Sequence, residues 1–244
     1  MNIDPQLADS LRRAKSIAVL TGAGVSAESG VPTFRDALAG LWAKFDPEEL
    51  ATPEAFLRNP KLVWEWYASR RATLAGTQPN PGHVALAEIE RCVGAFTLAT
   101  QNVDGLHARA GSRKVVELHG NILRTRCFDA GHPVEAWVDD GSIPPHCPLC
   151  GSWLRPDVVW FGEMLPPGAI EQAIDAARSC DLFLCVGTSA LVFPAAALPE
   201  SARRAGAIVV EVNPQPSPVA DFADFTLAAP SGIALPALVR AAFS

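Results

Sequence analysis

Only 19% of this 244-residue chain is charged, and its 20 Lys and Arg never gather into a basic run. Nucleic-acid affinity is dominated by phosphate neutralisation, so the absence of a basic face excludes nucleic acid as the main partner. The formal net charge of −6 instead tolerates lysine-rich protein partners. No apolar run reaches the roughly 18 residues of a membrane span, so no membrane association is expected. The opening stretch MNIDPQLADSLRRAK lacks an apolar h-region, which argues against a secretory signal and for a cytoplasmic location. Internal repeats and low-complexity segments are missing too. Cysteine is limited to six positions. Cys92, Cys180 and Cys185 lie in apolar segments and read as core. Cys127, Cys147 and Cys150 cluster, and without a secretory signal a cluster suggests metal rather than disulfide.

What is present is apolar: 49% of the chain, enough for a sizeable core. Runs of strand length occur at Ile17–Thr21, Ala95–Thr100, Lys114–Leu118, Leu182–Gly187 and Ala207–Val212, with a weaker one at Phe225–Ala228. Such unbroken apolar runs fit strands buried on both faces. Helical stretches are expected at Asp4–Ala14, His83–Arg91, Gly168–Ser179, Pro194–Ala205 and Ile233–Ala242. The alternation predicts an α/β fold with a doubly wound, parallel, Rossmann-like sheet. Two segments break it. Residues 34–82 carry no such strand, and residues 124–158 carry the cysteine cluster and several prolines. They are expected to form a smaller second domain, a helical insertion plus a zinc-ribbon-like module. Residues 1–33, 83–123 and 159–244 are left for the large domain.

The first strand runs into TGAGVSAESGVPTFR, where Gly22, Gly24 and Ala27 make a G-x-G-x-x-A spacing. Such glycines let a backbone approach a pyrophosphate. A dehydrogenase would add an acidic residue at the end of a second strand about 20 residues later. Here only Asp36 and Asp46 are available, and neither follows an apolar strand. The loop therefore suggests a dinucleotide without suggesting hydride transfer.

Further motifs follow in order: TQNVDGLH at Thr100–His107, ELHGN at Glu117–Asn121, RPDVVWFGE at Arg155–Glu163, GTS at Gly187–Ser189 and VNPQ at Val212–Gln215. With GAGVSAESGVPTFR, this series closely resembles the sirtuin family, NAD-dependent protein-lysine deacylases, from about residue 10 onward. The resemblance implies that NAD is consumed as a co-substrate. The acyl oxygen of a modified lysine attacks the nicotinamide ribose, nicotinamide leaves, and 2'-O-acyl-ADP-ribose is released with free lysine. It implies catalytic roles for His119, as general base, and Asn102. It places Gln101, Asn102 and Asp104 in the nicotinamide pocket, and Gly22, Ala23 and Gly24 at the pyrophosphate. Phe34 would shield the reacting ribose and Arg35 meet a phosphate. Gly187, Thr188, Ser189, Asn213, Gln215 and Ser231 complete the dinucleotide set. Val159, Trp160 and Phe161 would line the channel around the lysine stem and offer an edge to an extended peptide.

In WEWYASRR, Tyr67 and Arg70 lie three apart and share a helical face. An Arg fork with a phenolic O–H can bind a carboxylate. Within the sirtuins this Y-x-x-R resembles the desuccinylase and demalonylase branch, as does the small Ala37. Succinyl, malonyl or glutaryl removal is expected, with acetyl as a parallel substrate. A chiefly acetyl-directed enzyme and an NAD-dependent mono-ADP-ribosyltransferase are the alternatives. Acyl-lysine proteins are the expected partners, and a monomer the expected state. Family members usually carry two C-x-x-C pairs for zinc. Here Ala130 stands where the second cysteine should be, leaving Cys127, Cys147 and Cys150. His132 and Asp129 are candidates for the fourth ligand, with His146 also near in sequence.

Overall fold

The computed structural model describes residues 1–31 and 50–243. Six strands form one parallel sheet: β1 (Ser16–Thr21), β2 (Ala95–Thr100), β3 (Val115–Glu117), β6 (Leu182–Val186), β7 (Ile208–Val212) and β8 (Phe225–Leu227). Their order is β3-β2-β1-β6-β7-β8, so the winding reverses between β1 and β6. In such sheets the crevice at the strands' carboxyl ends, at the reversal, is where ligands bind. All six expected apolar runs are strands of this sheet.

Both faces are covered, which is why the strands read as unbroken apolar runs rather than alternating ones. On one face Ile17, Val19, Leu98, Leu184 and Val210 meet α1 (Pro5–Arg13), α4 (Pro81–Cys92) and α8 (Ser231–Phe243). On the other, Ala18, Leu20, Phe183 and Val209 meet α6 (Ala169–Ser179) and α7 (Leu198–Arg204). Four helix starts follow one recipe. Asp4-Pro5, Thr52-Pro53, Asn59-Pro60 and Asn80-Pro81 each pair a side-chain cap with a proline at the first helical position. That proline loses no hydrogen bond, because the first N–H of a helix has no internal acceptor.

The second unit combines α2 (Pro53–Arg58) and α3 (Pro60–Ala75) with an antiparallel pair, β4 (Gly120–Cys127) and β5 (Leu154–Val158). Phe56, Val63, Trp66, Tyr67, Ile122, Val158 and Trp160 share its core. Arg71 ties α3 to the ribbon, donating to the carbonyls of Ile122 (2.5 Å) and Arg124 (2.9 Å). Between β2 and β3 lies a short helix, α5 (Leu106–Arg109). Among the described residues, no helix is long and apolar enough to cross a membrane.

Gly120 opens the ribbon and explains the His-Gly pair. It has φ +76°, and a Cβ there would lie 2.3 Å from the Asp157 carbonyl oxygen. Only glycine tolerates both constraints. Gly120→Ala is expected to cost roughly 2–4 kcal/mol, from left-handed strain plus backbone displacement. Urea unfolding would show it as a lowered midpoint at similar slope.

Candidate functional site

Loops from the carboxyl ends of β1, β2, β3, β6 and β7 meet at the reversal point. The turn after β1 is a 3-10 helix (Ala23–Ser29). The Gly22 N–H donates to the Val186 carbonyl (3.1 Å) and the Gly24 N–H to the Gly187 carbonyl (2.8 Å). These two N–H groups are thus used inside the protein, which adjusts the expectation that they face a pyrophosphate. The glycines serve the close approach itself: a Cβ at Gly22 would lie 2.7 Å from the Thr188 Cβ, and one at Gly24 2.7 Å from the Gly187 oxygen. The Ala23 N–H has no acceptor among the described residues.

Ser26 is the hub behind this turn, a role its sequence position does not announce. Its hydroxyl donates to Asp104 (2.7 Å) and accepts from the Asn102 amide (3.1 Å). His83 Nε2 also lies 3.3 Å away. Because His83 Nδ1 accepts from the Asn80 N–H (3.3 Å), Nε2 must carry the proton and donate to Ser26. The Asn102 backbone N–H donates to Thr100 Oγ1 (3.1 Å), and Asp104 caps the Leu106 N–H (2.9 Å). Both Asn102 and Asp104 are buried. Deeper still, the Thr21 hydroxyl donates to Thr100 (2.8 Å) and so accepts from His107 Nε2 (2.9 Å). His107 Nδ1 is left without a partner, as suits a neutral ring.

His119 leaves β3 next to Gly120, half-buried. Its Nδ1 lies 3.0 Å from the Gln101 carbonyl, which can only accept, so Nδ1 bears the proton and Nε2 the lone pair. Burial holds the ring below the usual histidine range, and the Gln101 carbonyl partly opposes this. Gln101 also reaches across the reversal point to donate to Thr188 Oγ1 (2.9 Å). Asn213, after β7, donates to the Thr188 carbonyl (3.1 Å). Ser189 is half-buried beside Thr188, and Gln215 is exposed beyond Asn213. Ser231 is buried at the start of α8, where its hydroxyl donates to the Val25 carbonyl (3.5 Å). Phe34, Arg35 and Ala37 lie outside the described residues.

Val159–Phe161 follow β5 directly. Their N–H groups are all engaged within the protein: Val159 with the His119 carbonyl (2.9 Å), Trp160 with Glu163 (2.8 Å) and Phe161 with the Ala51 carbonyl (2.9 Å). Phe161 is exposed. Trp160 differs from its expected place on a channel surface: it is 1% exposed, packed against Phe56, Tyr67 and Phe128. The Arg155 guanidinium lies 3.3 Å over its ring and is itself held by Glu163 and the Val158 carbonyl. These anchors of the segment, Arg155 and Glu163, stand in a motif whose string alone does not separate them from surface charges.

Tyr67 and Arg70 do share one face of α3. Burial raises the Tyr67 phenol well above its usual range, so it is neutral and able to donate. Burial likewise lowers the half-buried Arg70, which the Tyr67 site partly offsets. Arg70 stacks 5.2 Å from the Trp66 ring, and no carboxylate among the described residues pairs with it.

In the ribbon's far end, Cys127 Sγ lies 3.5 Å from Cys150 Sγ, and His132 Nε2 lies 3.3 Å from Cys147 Sγ. The ligand atoms of Cys127, His132 and Cys147 all fall within 4.8 Å of one another. These three donors are of the types and at the spacing that a tetrahedral ion with bonds of about 2.0–2.3 Å takes, and Cys150 lies beside one of them, Cys127. His146 is turned to Asp140 instead (3.4 Å).

Residues 22–194 match the Sir2 family. The chain is 51% identical over 229 residues to an NAD-dependent protein deacylase of Ralstonia nicotianae, covering 94% of this chain and 93% of the relative. It superposes on a Sir2 homolog–NAD complex with a TM-score of 0.91 at 45% identity, covering 98% of this chain and 93% of the other. A Sir2 structure bound to acetylated peptide gives a TM-score of 0.86 at 31% identity, covering 96% of each chain.

The imidazoles themselves offer a test. His119 and His83 are lowered by burial, and His107 is pushed down to about 3 by burial and by the neighbouring His83. Ring-proton NMR titration is expected to give midpoints below 6.5 for His119 and His83, with His107 neutral throughout the native range. A His119 midpoint at or above 6.5 would contradict the geometry.

Proposed function

Because the chain belongs to the Sir2 family, we propose that, within its NAD-dependent protein deacylase activity, it removes acidic acyl groups, namely succinyl, malonyl or glutaryl, with acetyl as a parallel substrate. One observation carries this reading. Arg70 is a half-buried cation with no carboxylate partner among the described residues, beside a neutral Tyr67 whose O–H is able to donate. Its neighbour Arg71 is already committed to backbone carbonyls, so of the two Arg70 is the guanidinium without such a commitment among the described residues. A cation is costly to bury unless something anionic meets it. A dicarboxylic acyl group supplies that anion through its distal carboxylate, and Tyr67 adds a second donor.

The remaining roles follow from the site. NAD supplies the activated glycosidic carbon and the ribose hydroxyls. Asn102 is held by Ser26 through one amide hydrogen, and we assign its remaining polar atoms, with Asp104, to the nicotinamide end. His119 presents an unprotonated Nε2 and takes the ribose hydroxyl proton. Thr188 and Asn213 hold the adenosine side, and Gln101, at the nicotinamide end, is bonded to Thr188 and so links the two. The fixed orientation of these groups lowers the entropy cost of bringing acyl oxygen and ribose together. Acyl-lysine proteins bind along Val159–Phe161.

The test is nicotinamide release from succinyl- and acetyl-lysine peptides by wild type and Arg70→Met. Losing a charge-assisted bond worth roughly 1.5–3 kcal/mol should lower succinyl kcat/KM by about 10- to 100-fold and leave acetyl turnover within a few-fold. Equal losses on both peptides, or no succinyl turnover by wild type, would refute the assignment.

Zinc is proposed at Cys127, His132, Cys147 and Cys150, with His132 replacing the cysteine that Ala130 removes. It would be structural, closing the ribbon away from the reacting groups. Elemental analysis of protein purified without chelator should find one equivalent. His132→Ala should fall well below one and melt at lower temperature.

A further inference from the structure

Trp160 takes no part in the chemistry, yet its indole is committed to a single polar contact. Its Nε1–H donates to the Tyr67 hydroxyl oxygen at 2.9 Å, with both residues buried. A phenol has one proton and accepts through its oxygen. An N–H pointed at that oxygen keeps the phenolic proton from turning toward the indole. The proton is directed to the other side, where a ligand can accept it. The indole is immobilised in turn. Arg155 lies 3.3 Å over its ring, and Glu163 accepts from both Arg155 (2.9 Å) and the Trp160 backbone N–H (2.8 Å). A continuous series thus runs from Glu163 through Arg155 and Trp160 to Tyr67.

We propose that Trp160 is a positioning residue for acyl specificity: its indole N–H polarises and orients the Tyr67 hydroxyl so that the hydroxyl donates to the distal carboxylate of an acidic acyl-lysine. The inference rests on the acidic-acyl reading above. It adds that the preference is set by a buried residue on the substrate-edge segment as well as by α3. It also couples the two: a peptide that shifts Val159–Phe161 would shift the donor that orients Tyr67.

A double-mutant cycle isolates this effect. In Trp160→Phe, the succinyl-to-acetyl ratio of kcat/KM should fall about tenfold, mainly through the succinyl KM, as one hydrogen bond to a ligand-facing group is weakened. In the Tyr67→Phe background, the same Trp160→Phe change should move the ratio by less than about twofold. An equal fall in both backgrounds, or none in either, overturns the proposal. If Arg70→Met and Tyr67→Phe also leave the wild-type ratio unchanged, the acidic-acyl reading itself has failed, which is a separate outcome. Should Trp160→Phe not fold, the wild-type protein still decides. Among the six tryptophans, one indole N–H resonance should move in Tyr67→Phe. The same resonance should respond more to succinyl-lysine peptide than to acetyl-lysine peptide. No indole responding in this way overturns the proposal.

Discussion

Two backbones touch at the point where the sheet reverses, and the rest of the site is built around that contact. Gly24 donates to the Gly187 carbonyl at 2.8 Å, and a Cβ at Gly187 would fall 2.3 Å from the Val25 nitrogen. Neither loop has room for a side chain there. Gly187, at φ +58°, also takes a conformation that suits glycine. The loop after β1 is therefore pressed against the loop after β6. What remains of it, the 3-10 turn, delivers Ser26 inward beneath the crevice. From the other side, Asn80 at the start of α4 holds the Val25 carbonyl (2.7 Å), and Glu28 accepts from Gly232 at the start of α8 (2.6 Å). The turn is fixed by packing on one side and by two helix starts on the other.

Once Ser26 is fixed, protons in the layer beneath have little freedom. Ser26 donates to Asp104, so it must accept from Asn102 and His83, and the His83 tautomer follows from Asn80. The Asn102 amide is then oriented before any ligand arrives. Gln101 connects this half of the site to the others. Its carbonyl sets the His119 tautomer, while its side-chain amide donates to Thr188. One residue at the end of β2 thereby orders His119 and the β6 loop together. Preorganisation of this kind spares the reaction the cost of aligning its polar groups.

The sequence was most legible where physics is local. The strands β1, β2, β6 and β7 are buried on both faces, so each is a plain apolar run, while their order is set by non-local pairing that no single run displays. The helices packed on the sheet were legible as the polar-faced stretches between those runs, whereas α2 and α3 were not singled out within residues 34–82. The ribbon of β4 and β5 was not: its partners are separated by the whole cysteine segment, and the register shifts between Asn121 and Thr125. The Ser26 hub was equally hidden, because its partners His83, Asn102 and Asp104 lie 57 to 78 positions away. The glycine spacing points to a close backbone approach but not to the contact seen inside the protein, where Gly22 and Gly24 press on Thr188 and Gly187. Trp160 was misplaced for a similar reason: an aromatic beside an exposed Phe161 gives no sign that Arg155 and Tyr67 enclose it.

The ribbon also connects the cysteine cluster to the neighbourhood of His119. At one end of the ribbon Gly120 pairs with Val158, directly beside His119, whose carbonyl accepts from Val159. At the other end Cys127 pairs with Leu154, and the buried apolar cluster there is small: Cys127, Val134, Cys147 and Leu154. Trp64 and Trp137 pack against this cluster, but it stays small for the long 128–153 excursion, and small units of this kind are commonly closed by a metal. A metal bound to Cys127, His132, Cys147 and Cys150 would clamp the far end and leave the near end to hold His119 against Val159. The replacement of one expected cysteine by Ala130 is tolerable on this view. His132 enters from two residues further along, and the clamp needs four ligands in reach rather than four thiolates.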